Sequence, residues 1–286
     1  MIILADLKFY STGFKFGNNK EKTLVLSIIY NDRNNLCINK KLINFIESEI
    51  EETESFQAMI KEKFDNGKII SKNVNPKSET YSGECLELYN CIKKEFLIPL
   101  RLDSNSHFEN ANFSNLVTLN ENEKLSVSWI VKNLLSKDSI VLSFKDFEND
   151  LEIKNFINNV YSISKFNNYI EVFNRDLERV FLDKFKGNKI NYYVYFKNFS
   201  KNRPYLIDEA KELKKNLGSN IKIHFTQNPR IIHERKIFIE NLCITFDNSF
   251  QNITTTEPTW TIIVEYSEET KNDWLKKASS FKYFYH

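Results

Sequence analysis

INYYVYFKNFSKNRPYLIDEAKELKKNLGSNIKIHF, residues 190–225, holds the pattern that decides the fold. Its first part, Ile190–Phe196, is a run of aromatic and β-branched residues that predicts a strand. Pro204–Leu217 predicts a helix, with Pro204 near its first turn and Gly218 at its carboxyl cap. Ile221–Phe225 predicts a second strand. Strand, helix and strand in that order form the unit of an α/β layered sheet. The same alternation extends toward the amino terminus. Ser139–Phe144 (SIVLSF) and Tyr169–Phe173 (YIEVF) predict strands, and Asp146–Ser164 and Leu177–Phe185 predict helices. Leu151, Phe156, Ile157, Val160 and Ile163 mark the buried side of the first of these helices. Toward the carboxyl terminus, Lys236–Ile239 and Leu242–Phe246 predict a hairpin turning at Glu240–Asn241. Ile262–Tyr266 predicts a last strand and Thr270–Ser279 a closing helix. The late hairpin requires mixed strand directions, so the expectation is a mixed β-sheet flanked by helices.

The amino-terminal part is less regular. Met1–Tyr10, Thr23–Tyr30 and Leu36–Asn39 read as strands from their content of Ile, Leu, Val, Phe and Tyr. Lys41–Phe64 reads as one or two helices, from Leu42, Phe45, Ile46, Ile50, Phe56, Met59, Ile60 and Phe64, stopped by Asp65–Asn66–Gly67. Asn73–Gly83 reads as a loop and Glu84–Phe96 as a helix. The Asn- and Ser-rich stretch 101–124 is the expected boundary, and Leu125–Leu135 opens the second part as a helix. The expected organisation is a smaller α+β domain over 1–120 and an α/β domain over 121–286.

Composition narrows the chemistry. The chain has 286 residues, enough for two domains, and 41% hydrophobic residues, enough for packed cores. Glycine occurs only six times, and neither G-x-G-x-x-G nor G-x-x-x-x-G-K-[ST] is present, so glycine-loop nucleotide sites lose their mechanism. No apolar run is long enough for a membrane-spanning helix. The first residues lack the pattern of a secretion signal, and the expected location is the cytoplasm. Cys37, Cys85, Cys91 and Cys243 have no C-x-x-C spacing and are expected as reduced thiols. His107, His224, His233 and His286 are too few and scattered for a histidine metal centre. No metal and no cofactor is expected.

The net charge of +2 is unevenly spread. Residues 184–236 carry 13 Lys or Arg against 4 Asp or Glu, a local excess suited to phosphates. Lys211, Lys214 and Lys215 add to it from a solvated helix face. His224, inside IKIHF, is expected to pack in the core. Trp129, Trp260 and Trp274 are expected as core anchors.

One segment departs from generic α/β sequence: Arg230–Ile253, RIIHERKIFIENLCITFDNSFQNI. Strand alternation puts His233, Arg235 and Ile237 on one face. An imidazole and a guanidinium side by side can share a phosphate, one as nucleophile or proton carrier and the other as a bidentate clamp. Arg230 and Lys236 add charge, and Ser249 and Asn252 can add hydrogen-bond donors. H-x-R here resembles the H-x-K-x4-D signature of the phospholipase D superfamily, with His233, Arg235 and Glu240 at its three positions. The preceding strand–helix run is similar to that superfamily's repeat, so the resemblance covers about residues 125–286.

The resemblance implies a phospholipase-D-like fold in which His233 attacks phosphorus, the cation holds the phosphate oxygens, and two motifs meet at one centre. The chain departs from the pattern at three places. Arg replaces Lys, Glu replaces Asp, and Asp247–Asn248 stand where the Gly–Ser pair is expected. It carries a single motif, which implies a homodimer if two must meet. The H-x-R form is closer to the phospholipase-D-like domain that ends MIT-domain proteins, and to bacterial relatives; that domain is regarded as a non-hydrolytic phosphoinositide binder that dimerises. The expectation is a protein that recognises phosphodiesters of nucleic acid or anionic phospholipid with little or no turnover. The first alternative is a metal-independent dimeric nuclease or phosphodiesterase with His233 as nucleophile. The second is a structural or adaptor protein of a bacterial accessory or defence operon, with a protein partner bound through residues 1–120.

Overall fold

A computed structural model describes residues 1–286 except 76–78, 93–95, 105–107, 109–110, 122, 165–168, 180, 183–184, 198, 219, 233 and 286, and except the side chains of 199–203 and 285. The described residues form two compact units. The first comprises Met1–Lys137 with Ser162–Phe166, and the second Asp138–Tyr161 with Asn167–His286.

The first unit is built on strands β1 (Ile2–Ala5), β2 (Asn35–Cys37), β3 (Ile69–Ile70), β4 (Leu97–Arg101) and β5 (Val117–Thr118), all parallel, in the order β3-β2-β1-β4-β5. Helices separate them: α1 (Leu7–Gly13) and α2 (Lys20–Tyr30) after β1, α3 (Lys40–Glu47) and α4 (Thr53–Asp65) after β2, and α5 (Tyr81–Cys91) after β3. Every residue of β1 is buried, and so are four of the five in β4. Strands covered on both faces read as unbroken apolar runs rather than alternations. Pro99 is tolerated in β4 because the alternation points its missing N–H toward β5, which pairs only from Leu100 onward.

The expected strand Thr23–Tyr30 is helix α2. Asn19 caps it, its side chain accepting from the Lys22 amide at 2.7 Å, and Val25, Ile28 and Ile29 are its buried face. Packing at three- and four-residue spacing has overridden the β-preference of those side chains. Met1–Tyr10 splits at Asp6, whose carboxylate accepts the Phe9 amide and starts α1. Helix α6 (Val127–Ser136) belongs to the first unit, where it packs on α2 and β5 and buries Ile130, Val131 and Leu135.

The second unit has one mixed sheet of β6 (Ser139–Ser143), β7 (Tyr169–Asn174), β8 (Lys189–Tyr195), β9 (Ile221–Thr226), β10 (Arg235–Ile239), β11 (Leu242–Phe246), β12 (Thr261–Tyr266) and β13 (Lys282–Tyr285). The order is β13-β9-β8-β7-β10-β11-β12-β6. β7, β8 and β9 run parallel, and the other neighbours are antiparallel. With helices α7 (Asp150–Ser162), α8 (Phe199–Leu217) and α9 (Glu268–Ala278), this is the mixed, helix-flanked α/β sheet that the strand–helix pattern anticipates. One face is continuous apolar core, including Ile170, Val172, Ile190, Tyr192, Val194, Ile223, Ile237, Ile244, Ile262 and Val264. On the other face α9 covers Phe173, Phe238 and Cys243 with Trp274 and Ala278.

The expected helix Leu177–Phe185 is not present in its described residues. Phe181 has a φ of 68°, in the left-handed region that stops a helix, and its ring stacks on Phe246 at 5.5 Å. The terminal strand β13 has no counterpart in the sequence reading. It pairs with β9 through Lys282 and Tyr283, a long-range contact that a short aromatic run does not announce.

Candidate anion site at the carboxyl edge of the larger sheet

Because β7, β8 and β9 are parallel, their carboxyl ends, Asn174, Tyr195 and Thr226, share one edge of the sheet. β10 enters at that edge with Arg235, and β11 leaves there at Phe246. In open α/β sheets this edge is where ligands bind. The loop after β11 is held by acids. Asp247 accepts the Thr261 amide at 2.8 Å and its hydroxyl at 2.6 Å. Glu178 accepts the Ser249 hydroxyl at 2.9 Å, the Phe250 amide at 3.1 Å and the Asn174 side-chain amide at 3.0 Å. Tyr192 reaches the same network from β8, donating to the Asp176 carbonyl at 2.7 Å. Burial raises its hydroxyl pKa, so it stays a donor.

Arg235 is half-buried at the rim of this network. The last β10–β7 pair is Lys236 with Phe173, so Arg235 stands level with Asn174 and on the same face. Its Nε is buried and has no hydrogen-bond partner among the described residues. A buried guanidinium N–H without an acceptor costs free energy that an oxyanion removes, and the planar fork suits two oxygens of one phosphate.

The remaining predicted site residues divide. His233 lies outside the described residues. Arg230 is exposed in the turn after β9. Lys236 points to the opposite face from Arg235, where its Nζ donates to Thr245 at 2.7 Å, pairs with Glu234 at 3.0 Å and lies 5.5 Å from the Trp274 ring centre. It is committed to the core under α9. Cys243 lies in that core, and burial pushes its thiol up to about 12, far from a nucleophile. Ser249 is spent on Glu178, and Asn252 is exposed beside Asn248 in a short 3-10 turn. Glu240 is at the far end of β10, about 16 Å from Arg235 at strand rise. There it occupies the hairpin turn at a φ of 48° and pairs with Lys271 of α9 at 3.0 Å. The edge therefore brings together Arg235 and the 247–249 loop, and excludes Lys236 and Glu240.

Sequence reading missed Asn174, Glu178 and Tyr192. Tyr192 sits in an expected strand and Asn174 one residue beyond another, and only the register joins them to a carboxylate in a loop read as helix. In the first unit, an equivalent edge holds polar side chains that pair with one another. Asn39 caps α3 and donates to Glu84 at 2.6 Å, Lys41 lies 3.4 Å from Glu84, and Lys8 pairs with Asp103 at 2.6 Å.

No family model matches the chain, and no curated protein matches it. Among solved structures it is similar to TrmBL2, an archaeal chromatin protein whose structure shows a novel mode of DNA binding. The identity is 11% and the TM-score 0.33, over 57% of this chain and 56% of that one. A likeness so slight transfers no residue role. Among the described residues, no helix is long and apolar enough to cross a membrane, and no group of His, Cys, Asp and Glu is placed to hold a metal ion.

Proposed function

We propose that the chain recognises phosphodiesters, of nucleic acid or of an anionic lipid, at the carboxyl edge of its larger sheet. The observation that supports this is the buried Nε of Arg235 at that edge, which has no hydrogen-bond partner among the described residues. Arg235 clamps a phosphate there, and the Glu178-braced loop shapes the opposite wall. His233, two residues away on the chain, is the group that separates a binder from an enzyme. As a binder, the protein needs no turnover and His233 contributes only modestly. As a phosphodiesterase, it needs no metal: His233 attacks phosphorus to form a phosphohistidine as the bond to one ester oxygen breaks, the histidine of a second copy protonates that leaving oxygen, and water then hydrolyses the phosphohistidine.

The test is binding and cleavage of labelled oligonucleotides and phosphoinositide vesicles in the presence of a chelator. Arg235→Ala costs about 1.5–3 kcal/mol of affinity, the range for a charge-assisted hydrogen bond. Glu240→Gly, at the far end of β10, leaves affinity unchanged. His233→Ala abolishes any chelator-resistant cleavage while sparing much of the binding. Unaltered affinity in Arg235→Ala removes the proposal, and metal-dependent cleavage indifferent to His233→Ala removes the enzymatic version.

A further inference from the structure

The face of the same parallel strands opposite Arg235 carries a second surface. β7, β8, β9 and β13 lie side by side, and α9 covers only part of their outer face. The register sets Tyr169 beside Lys189, Glu171 beside Asn191 and Lys222, and Phe173 beside Tyr193, His224 and Tyr283. The last four rings form a ladder across the sheet. Phe173 and Tyr193 stack at 4.5 Å and 10°, Tyr193 and His224 at 5.0 Å and 21°, and Tyr283 meets His224 edge-on at 5.3 Å. The ladder starts under α9 and ends in solvent, where Tyr283 is 40% exposed.

Tyr169 is 42% exposed at the first position of β7, and the Lys189 ammonium lies 5.5 Å from its ring centre. Lys189 and Lys222 are exposed and make no ion pair among the described residues. Between the two tyrosines is a cleft of about 340 Å³, lined by Lys189, Asn191, Asn220 and Lys222 as well as the rings. Tyr283 is level with Phe173, four residues beyond Tyr169 along β7, and three strand spacings to the side, so the two tyrosine Cα atoms stand about 20 Å apart.

This face has the two components that hold an unpaired polynucleotide strand: aromatic faces on which bases stack, and cations beside them for the phosphates. Asn191 and Asn220 supply donors and acceptors for base edges. Burial and the Lys222 charge lower the His224 pKa, so the ring ladder is uncharged at neutral pH and presents an aromatic surface. Glu171 is the acid within this face. It is buried and accepts from Asn191 at 3.0 Å, and burial raises its carboxyl pKa. A duplex keeps its bases stacked inside and cannot use the tyrosines. We infer that the outer face of β7, β8, β9 and β13 binds single-stranded nucleic acid by stacking bases on Tyr169 and Tyr283 between Lys189 and Lys222.

The experiment is fluorescence anisotropy with oligo(dT) and oligo(rU) of about 15 nucleotides, and with a duplex of the same length, across a salt series. Both single strands bind and the duplex binds more weakly; the difference between the dT and rU arms tells DNA from RNA. Tyr169→Ala and Tyr283→Ala each weaken single-strand binding about tenfold, the loss of one stacked base. Tyr169→Phe and Tyr283→Phe keep the ring and stay within about twofold of wild type. Lys189→Ala and Lys222→Ala each lower the salt slope by about 0.7. These positions are exposed, and near-ultraviolet circular dichroism confirms that each variant is folded. Arg235→Ala leaves the tyrosine effects in place, so the two surfaces fail separately. The inference is overturned if wild type ignores single strands, or if both Tyr→Ala variants bind like wild type. It is also overturned if Tyr169→Ala and Tyr283→Ala instead dissolve a dimer in sedimentation, which would assign this face to a second copy of the chain.

Discussion

The two sheets solve different problems with similar parts. In the first unit, β1 and β4 are buried along nearly their whole length, and the polar residues at the carboxyl edge pair with one another. In the second, exposure alternates along the outer strands: Lys222 and His224 interrupt the buried Ile221, Ile223 and Phe225, and Val141 between Ile140 and Leu142 is 62% exposed. A sheet closed on both faces leaves only its edges for recognition. A sheet left partly bare has a whole face to offer, and it needs rings and charges there that tolerate water. Aromatic side chains fill the core in both units, and in the second they also reach the partly exposed outer face at Tyr169 and Tyr283.

The strongest test of that contrast is Phe173→Ala. The ring joins the α9 core to the ladder, and its removal should cost about 3–5 kcal/mol of stability, as for other large-to-small core changes. In urea unfolding followed by hydrogen exchange, the loss should fall on the second unit and spare β1, β2 and β4. Equal loss of protection in both sheets would break the separation of the units.

Glu178→Ala should have the next largest effect. It leaves the Ser249 hydroxyl and the Phe250 amide without their acceptor, at about 1–3 kcal/mol, while the Asn174 amide keeps the Asp176 carbonyl and the Tyr192 hydroxyl. Glu178→Gln, which keeps an acceptor oxygen, should recover part of that in the same denaturation assay. If Glu178→Ala melts like wild type, the carboxyl edge is not braced as described.

The smallest effect is on pH dependence. The lowered pKa of His224 means that the unfolded chain takes up a proton first as pH falls. Stability tied to this group is therefore present above the ordinary histidine range near 6.5 and lost as pH drops through the lowered value. Glu171 has the opposite sign: its raised pKa makes stability fall as pH rises through the folded value. His224→Phe removes the first contribution and keeps the second, so melts at about pH 7.5 and 5.5 should show a smaller acid loss than wild type. An identical loss would show that His224 is not held neutral beside Tyr193, Tyr283 and Lys222.

Sequence patterning by itself determined the α/β class and most strands of the second unit. Apolar runs such as Ile190–Phe196 and Leu242–Phe246 can bury themselves in few ways, and Gly218 ends α8 locally, whereas Pro204, expected in the first turn, lies inside α8, which begins at Phe199. It also pointed to Arg235, because a guanidinium at a strand mouth is a local feature. Local pattern misjudged Thr23–Tyr30, where β-branched residues sit on a helix because α2 packs by its Val25–Ile28–Ile29 face. The tertiary structure alone decided that Glu240 faces Lys271 rather than the arginine, since a strand carries its two ends apart. It alone turned Lys236 into the core, joined Asn174, Glu178 and Ser249, and set Tyr169, Lys189, Lys222 and Tyr283 on one face. Those groupings depend on strand order and register across residues far apart in the chain, and no local periodicity encodes which strand lies beside which.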